Sequence, residues 1–322
     1  MRNVLMFLAL LCLSALVARA AEPELPINGG ENILFIGNSL TGSLSETLPA
    51  MLKANDLPTF NGHRLQIWNQ TFETHWTISR ETHADLFHDP VPGFAKGYAV
   101  KGACTMWKQG QYDKPEFVAR GYILAEEAIR MGTPEGEPWD FVVLQGYAAQ
   151  RADNKMTKGP DGKPVFEGPF LKYGALLIET VKQAGARPIL YQAWMLNPEK
   201  GGGNEKPDSY YNTNYDRLIA NYKKLADAYD VPLVPVGAAM RALSKERKPE
   251  AARTAWLIRD NVHGTAAGGA LLHYCMASAL TGKPATELTY GYESKTKWDK
   301  GRHYVIGEKE HRYGLVITEE ID

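Results

Sequence analysis

Two short stretches, far apart in the chain, carry the residue types of nucleophilic catalysis. The first is Asn32-Ile-Leu-Phe-Ile-Gly37-Asn38-Ser39-Leu40-Thr41-Gly42. Its apolar run, Ile33 to Ile36, is rich in β-branched and aromatic residues and reads as a strand buried on both faces. Gly37 ends the strand, and Asn38, Ser39 and Thr41 fall where it turns into a helix. A serine there stands at the C-terminal edge of a sheet and near a helix N-terminus. Both are places where backbone N–H groups can hold a developing negative charge. Taken alone, Asn38 and Ser39 could equally be turn and cap residues.

A serine nucleophile needs a base, and the base needs an orienting acid. The second stretch, Asp260-Asn261-Val262-His263, offers both directly before a helix. In a turn, this spacing lets the carboxylate accept from the imidazole Nδ1–H and leaves Nε2 free to face a serine. Asp85-Leu86-Phe87-His88 has the same spacing. It falls in a helical pattern from Ser79 to His88, where such a pair is an ordinary surface contact. Asp260 and His263 instead lie in a loop before Gly264-Thr265-Ala266-Ala267-Gly268-Gly269, with Thr265 as cap.

The elements that must position these residues alternate between strand and helix. Strands are expected at 33–36, 64–68, 139–144, 188–191 and 231–236, and helices at 43–54, 117–131, 170–184, 215–229 and 265–280. Pro49 is expected to bend or break the first helix. This alternation implies a mainly parallel five-stranded sheet with helices on both faces, an α/β fold. Three long connections follow strands, at 69–116, 146–169 and 194–214, and such loops line the ligand end of a parallel sheet. They carry Trp76, Trp107 and Trp194 among Asn, Asp and Lys, the composition of a sugar-binding surface. Residues 290–322 are mixed, with segments able to form an edge hairpin.

Residues 1–20 read as a cleaved export signal, with Arg2, an apolar run from Leu5 to Val17, and Ala18-Arg19-Ala20 before the cut. Leu11 before Cys12 is not the small residue of a lipoprotein signal, so no membrane anchor is expected. The expected location is periplasmic or extracellular, and residues 21–322 are expected to form a single domain. Loss of Arg2 and Arg19 takes Lys+Arg from 36 to 34 against 37 Asp+Glu, a net charge of about −3 that argues against a nucleic-acid partner. Cys104 and Cys275 remain. Two cysteines make no disulfide framework, and Cys275, on the apolar face of a helix, is expected to be buried as a small hydrophobe.

Together, Gly37-Asn38-Ser39-Leu40 and Asp260-x-x-His263 resemble the first and last blocks of the SGNH/GDSL hydrolase family, with Asn38 in place of the commoner aspartate. The resemblance spans most of the chain after the leader. It implies a three-layer α/β/α, flavodoxin-like fold and ester hydrolysis with Ser39 as nucleophile, His263 as general base and acid, and Asp260 as its orienter. It differs from the G-x-S-x-G elbow, since Thr41 stands two residues after the serine.

Two family features are absent. No glycine follows the second strand between Gly62 and Gly93, and Ala148 stands where the third block has an asparagine. Gln145, at the end of the third strand, has an amide able to replace that asparagine as oxyanion donor beside the Ser39 N–H; a hydrogen bond to loop backbone is its other reading. Asn38, Trp76 and Trp194 are the expected substrate contacts.

No metal site is expected from His75, His83 and His88, which lack ligand spacing. Gly201-Gly202-Gly203 opens no helix and cradles no phosphate, so no cofactor is expected. The expected substrate is an O-acyl ester, with acetyl on a carbohydrate favoured over a lipid or small-molecule ester. A non-catalytic glycan-binding protein on the same fold is the alternative.

Overall fold

A computed structural model of the chain describes residues 25–38, 40–41, 44–66, 71–77, 105–108, 125–133, 135–147, 149–195, 208–245, 257–259, 263–264 and 266–289. Its centre is a six-stranded sheet. The strands are β1 (Asn32–Gly37), β2 (Asn61–Gln66), β3 (Thr105–Lys108), β4 (Phe141–Leu144), β7 (Arg187–Tyr191) and β8 (Leu233–Val234), in the order β3-β2-β1-β4-β7-β8. Five are parallel, as expected; β3 adds an antiparallel edge to β2.

Alternation along the central strands builds two apolar layers. Ile33, Phe35, Phe141, Val143, Ile189 and Tyr191 face one side; Leu34, Ile36, Val142, Leu144 and Leu190 face the other. Every one is fully buried. Sheets covered on both faces select such continuous β-branched and aromatic runs. The first layer is closed by α1 (Leu44–Ala54), α6 (Val236–Lys245) and α7 (Ala266–Thr281), the second by α2 (Phe72–Thr77), α3 (Ala125–Met131), α4 (Pro169–Gln183) and α5 (Asp208–Tyr229). The result is the expected three-layer α/β/α sandwich.

The order of the parallel strands matters for function. From β1 the chain passes to β2 on one side and later to β4, β7 and β8 on the other. The sheet therefore reverses its winding between β1 and β4, and open α/β sheets bind ligands in the crevice at such a point.

Several expectations are corrected. α1 runs through Pro49 without a break. A proline removes one helix hydrogen bond and pushes on the carbonyl four residues back, here Ser45. A Cβ on Gly62 of β2 would stand 2.2 Å from that Ser45 oxygen, so the helix rests on a strand residue without a side chain. The connection 69–116 contains α2, capped by the Thr71 hydroxyl accepting from the Thr74 N–H at 3.3 Å, and strand β3. The connection 146–169 contains an antiparallel hairpin, β5 (Lys155–Lys158) and β6 (Pro164–Glu167). Its base is tied by Asn154 Oδ1, which accepts from the Phe170 and Leu171 N–H groups and so caps α4. α5 begins inside the connection 194–214, and the segment 231–236 holds only the short β8 before α6 starts. The export signal, the Ser79–His88 pattern, Cys104 and residues 290–322 lie outside the described residues. Cys275 is a free thiol, half-buried against the α1–α7 layer, and burial pushes it up to about 11.

Candidate active site

The winding reversal brings the ends of β1 and β4 together. β1 closes at Gly37, and Asn38, Leu40 and Thr41 follow in a hydrogen-bonded set. The Thr41 N–H and hydroxyl both donate to the Asn38 carbonyl, at 3.0 and 2.7 Å. The Asn38 side chain completes it, its Oδ1 accepting from the Leu40 N–H at 3.0 Å, as asparagine does at turns. Leu44 then donates to the Thr41 carbonyl as α1 begins. Ser39 and Asp260 lie outside the described residues.

Across the reversal, Gln145 extends β4 by one step, its N–H donating to the Ile36 carbonyl at 2.9 Å. Its side chain is fully buried. Gln145 Oε1 accepts from the Asn38 N–H at 3.1 Å. That bond fixes the orientation of the amide, since only oxygen can accept. The Nε2 group is therefore the other end, and it has no hydrogen-bond partner among the described residues. A Cβ on Gly37 would meet Gln145 Oε1 and Thr41 Cγ2, each at 2.7 Å; only glycine lets the amide lie over the end of β1.

A second buried side chain approaches the same peptide unit from the β2 side. His75, on α2, is excluded from solvent and pushed down to about 4 by burial, an effect partly offset by the Gly37 carbonyl. Neither ring nitrogen has a partner at good hydrogen-bond geometry among the described residues. The Gly37–Asn38 peptide thus has an imidazole near its carbonyl and an amide oxygen on its N–H. The loop after β4 is held by Tyr222 of α5, whose hydroxyl donates to the Gly146 carbonyl at 3.0 Å and accepts from the Gly146 N–H at 3.2 Å. Tyr147 follows, its ring half-buried, its hydroxyl buried without a partner among the described residues and its pKa raised to about 12 by burial.

The remaining expected residues are placed as follows. Asn38 is fully buried, with Oδ1 accepting from the Leu40 N–H and Nδ2 without a partner among the described residues. Trp194 is only 3 % exposed and packs inside the α1–α7 layer. It does not stand on a loop surface as expected of a substrate contact, because the chain after β7 stays buried through Met195. Trp76 lies on α2, half-buried against the other layer. The backbone of His263 is in a two-residue strand, β10 (His263–Gly264), antiparallel to β9 (Ile258–Arg259), with His263 opposite Arg259. The expected loop before α7 is therefore partly a tight ladder. His75 was read as a scattered loop histidine; the capping threonine at 71 was the available sign of its helix. Gln192 was not singled out at all. It follows β7, and its Oε1 accepts from the Ala238 N–H of α6 at 3.1 Å, leaving a buried Nε2 without a partner among the described residues.

No family model matches the sequence, and no curated protein matches it. Solved structures do. A DUF4886 family protein from Bacteroides uniformis is 16 % identical over 83 % of this chain and 89 % of its own, with a TM-score of 0.49. A candidate SGNH hydrolase from Slackia heliotrinireducens is 19 % identical over 78 % of this chain and 100 % of its own, at 0.43. A catalytic mutant of the acetylxylan esterase Axe2 from Geobacillus stearothermophilus is 15 % identical over 80 % of this chain and 96 % of its own, also at 0.43.

Proposed function

We propose that the chain is an exported serine esterase of the SGNH/GDSL type, acting on O-acyl esters and, in the narrower form of the reading, on acetyl groups carried by a carbohydrate. The observation that carries it is Gln145. Its amide is oriented by the Asn38 N–H, and its NH2 group is buried, without a partner among the described residues, and sited at the winding reversal beside Asn38. An NH2 group kept out of water without a partner costs about 1–3 kcal/mol. A substrate oxygen that becomes an anion is the acceptor that would make such a group useful.

In this reading Ser39 Oγ attacks the acyl carbonyl carbon while His263 takes the hydroxyl proton, oriented by Asp260. The carbonyl π-electrons move to oxygen, and the oxyanion accepts from Gln145 Nε2 and the Ser39 N–H. Collapse breaks the ester C–O bond, and His263 returns the proton to the departing alkoxide. Water repeats the sequence on the acyl-serine and releases the acid. The carbohydrate part rests on the export signal and on the aromatic and polar composition of the long connections.

The test is labelling with a serine-directed fluorophosphonate, wild type against Ser39→Ala, beside acetate release from O-acetylated polysaccharide. Labelling lost in Ser39→Ala, with its circular dichroism unchanged, supports the nucleophile. A wild type that neither labels nor hydrolyses any ester overturns the enzyme and leaves the glycan-binding reading.

A further inference from the structure

Thr47 of α1 and His273 of α7 are polar residues inside an apolar layer, 4 % and 3 % exposed. Their neighbours in it include Leu44, Leu48, Ala270, Leu272 and Met276. The two side chains meet, Thr47 Oγ1 being hydrogen-bonded to His273 Nε2. On the other side of the ring, Nδ1 lies 2.7 Å from the Gly269 carbonyl. A carbonyl only accepts, so Nδ1 carries the proton. Nε2 then presents its lone pair, and the Thr47 hydroxyl donates.

An apolar pair of the same shape would fill this space at least as well, since a buried polar pair adds little net stability. What a directional relay adds is register: it fixes how far one helix lies along the other. Both ends of this relay lead to the candidate site. α1 starts at Leu44, whose N–H is bonded to Thr41, and Thr41 closes the turn on Asn38. At the other end, Gly269 lies against β10. A Cβ on Gly264, the residue next to His263, would stand 3.2 Å from the Gly269 nitrogen. Gly268 is closer still to the partner strand's approach, where a Cβ would meet the Leu257 carbonyl at 2.0 Å. Among the described residues, Gly264 thus faces backbone of the first turn of α7, and Gly268 faces the backbone of Leu257.

We propose that the Thr47–His273–Gly269 relay is a positioning device that sets the Asn38–Thr41 turn relative to β10, and so holds the nucleophile segment in register with the His263 segment. It rests on the esterase reading above. His273 touches neither substrate nor reacting atoms in this scheme; it acts through α7 and Gly269. Misplacing a catalytic group by about 1 Å can cost about 10²-fold in rate, so a partial loss of register is expected to show in kcat.

The experiment compares Thr47→Val, which keeps the shape and removes the donor, with Thr47→Ser, which keeps the donor. Each is assayed well below its melting temperature. Thr47→Val is expected to lower kcat about tenfold with KM within about twofold, and Thr47→Ser to stay near wild type. Should Thr47→Val not fold, Thr47→Ala removes the same donor with a smaller side chain and carries the same expectation. A ring-nitrogen NMR spectrum of His273 is expected to show the Nδ1–H tautomer in the wild type. An active wild type with kcat unchanged in Thr47→Val, an equal loss in Thr47→Ser, or an Nε2–H tautomer overturns the relay while leaving the esterase standing. A wild type without fluorophosphonate labelling or hydrolysis overturns the esterase, and the positioning role with it.

Discussion

The Asn38 N–H donates to Gln145 Oε1 at 3.1 Å, joining residues 107 positions apart across the boundary between β1 and β4. One amide group is thereby divided between two tasks. Its oxygen holds the backbone directly before Ser39, and its nitrogen is left as a buried donor.

That division makes Gln145 the most informative substitution. Gln145→Ala is expected to lower kcat by about 10²–10³, the usual loss of one oxyanion donor, with little change in KM. Gln145→Glu is expected to be worse, because it sets an anion beside the developing oxyanion. Steady-state kinetics on a chromogenic acetate ester measures both. Near-normal turnover in Gln145→Ala would move the oxyanion hole elsewhere.

The Asp260–His263 pair has a control built into the chain. Asp85 and His88 share its spacing, so His88→Ala is matched to His263→Ala. The latter is expected to lose orders of magnitude in turnover and the former almost none, since triad members act as a unit. Turnover is also expected to fall at acid pH as His263 gains a proton and can no longer accept from Ser39. Equal losses in the two alanine variants count against the assignment.

His75 predicts a stability effect with a defined sign. Burial holds its folded pKa at about 4, below the ordinary 6.5. The unfolded chain therefore binds a proton between those values that the folded chain refuses, and stability falls as pH drops from 6.5 towards 4. At one pKa unit per 1.36 kcal/mol, the loss is about 3 kcal/mol. Below pH 4 the contribution stays constant. Urea denaturation of wild type and His75→Leu at pH 7 and pH 4.5 measures it: the variant should show the smaller drop. Parallel behaviour of the two proteins would assign the acid sensitivity to other groups.

The strands were legible because β1, β4 and β7 are short apolar runs covered on both faces, and such runs have few alternatives. The helices read from spacing were placed within a few residues where an apolar stripe faces a layer, as in α4. α6 was missed because Pro232 and Pro235 bracket β8 and Gly237 opens the helix, a composition that resembles a loop. α2 was missed because only one turn of it carries the pattern, with Phe72 and His75 as its buried residues.

At the site, the position of Gln145 at a strand end could be read from the chain, but its burial and the direction of its amide could not. Both depend on Gly37 and Asn38, which no local pattern connects to it. The same holds for Tyr222 on Gly146 and for Thr47 on His273. Trp194 shows the opposite error: an aromatic residue assigned to a ligand surface by its place after a strand belongs to the interior.

Pro49 and Gly62 carry a historical consequence. The Ser45 carbonyl stands where any side chain at position 62 would be, 2.2 Å from its Cβ. A lineage with proline at 49 cannot explore other residues at 62 unless α1 lifts from β2, and lifting it would drag the segment that leads back through Thr41 to Asn38. Position 62 is therefore expected to stay glycine in related chains wherever α1 keeps its place on β2.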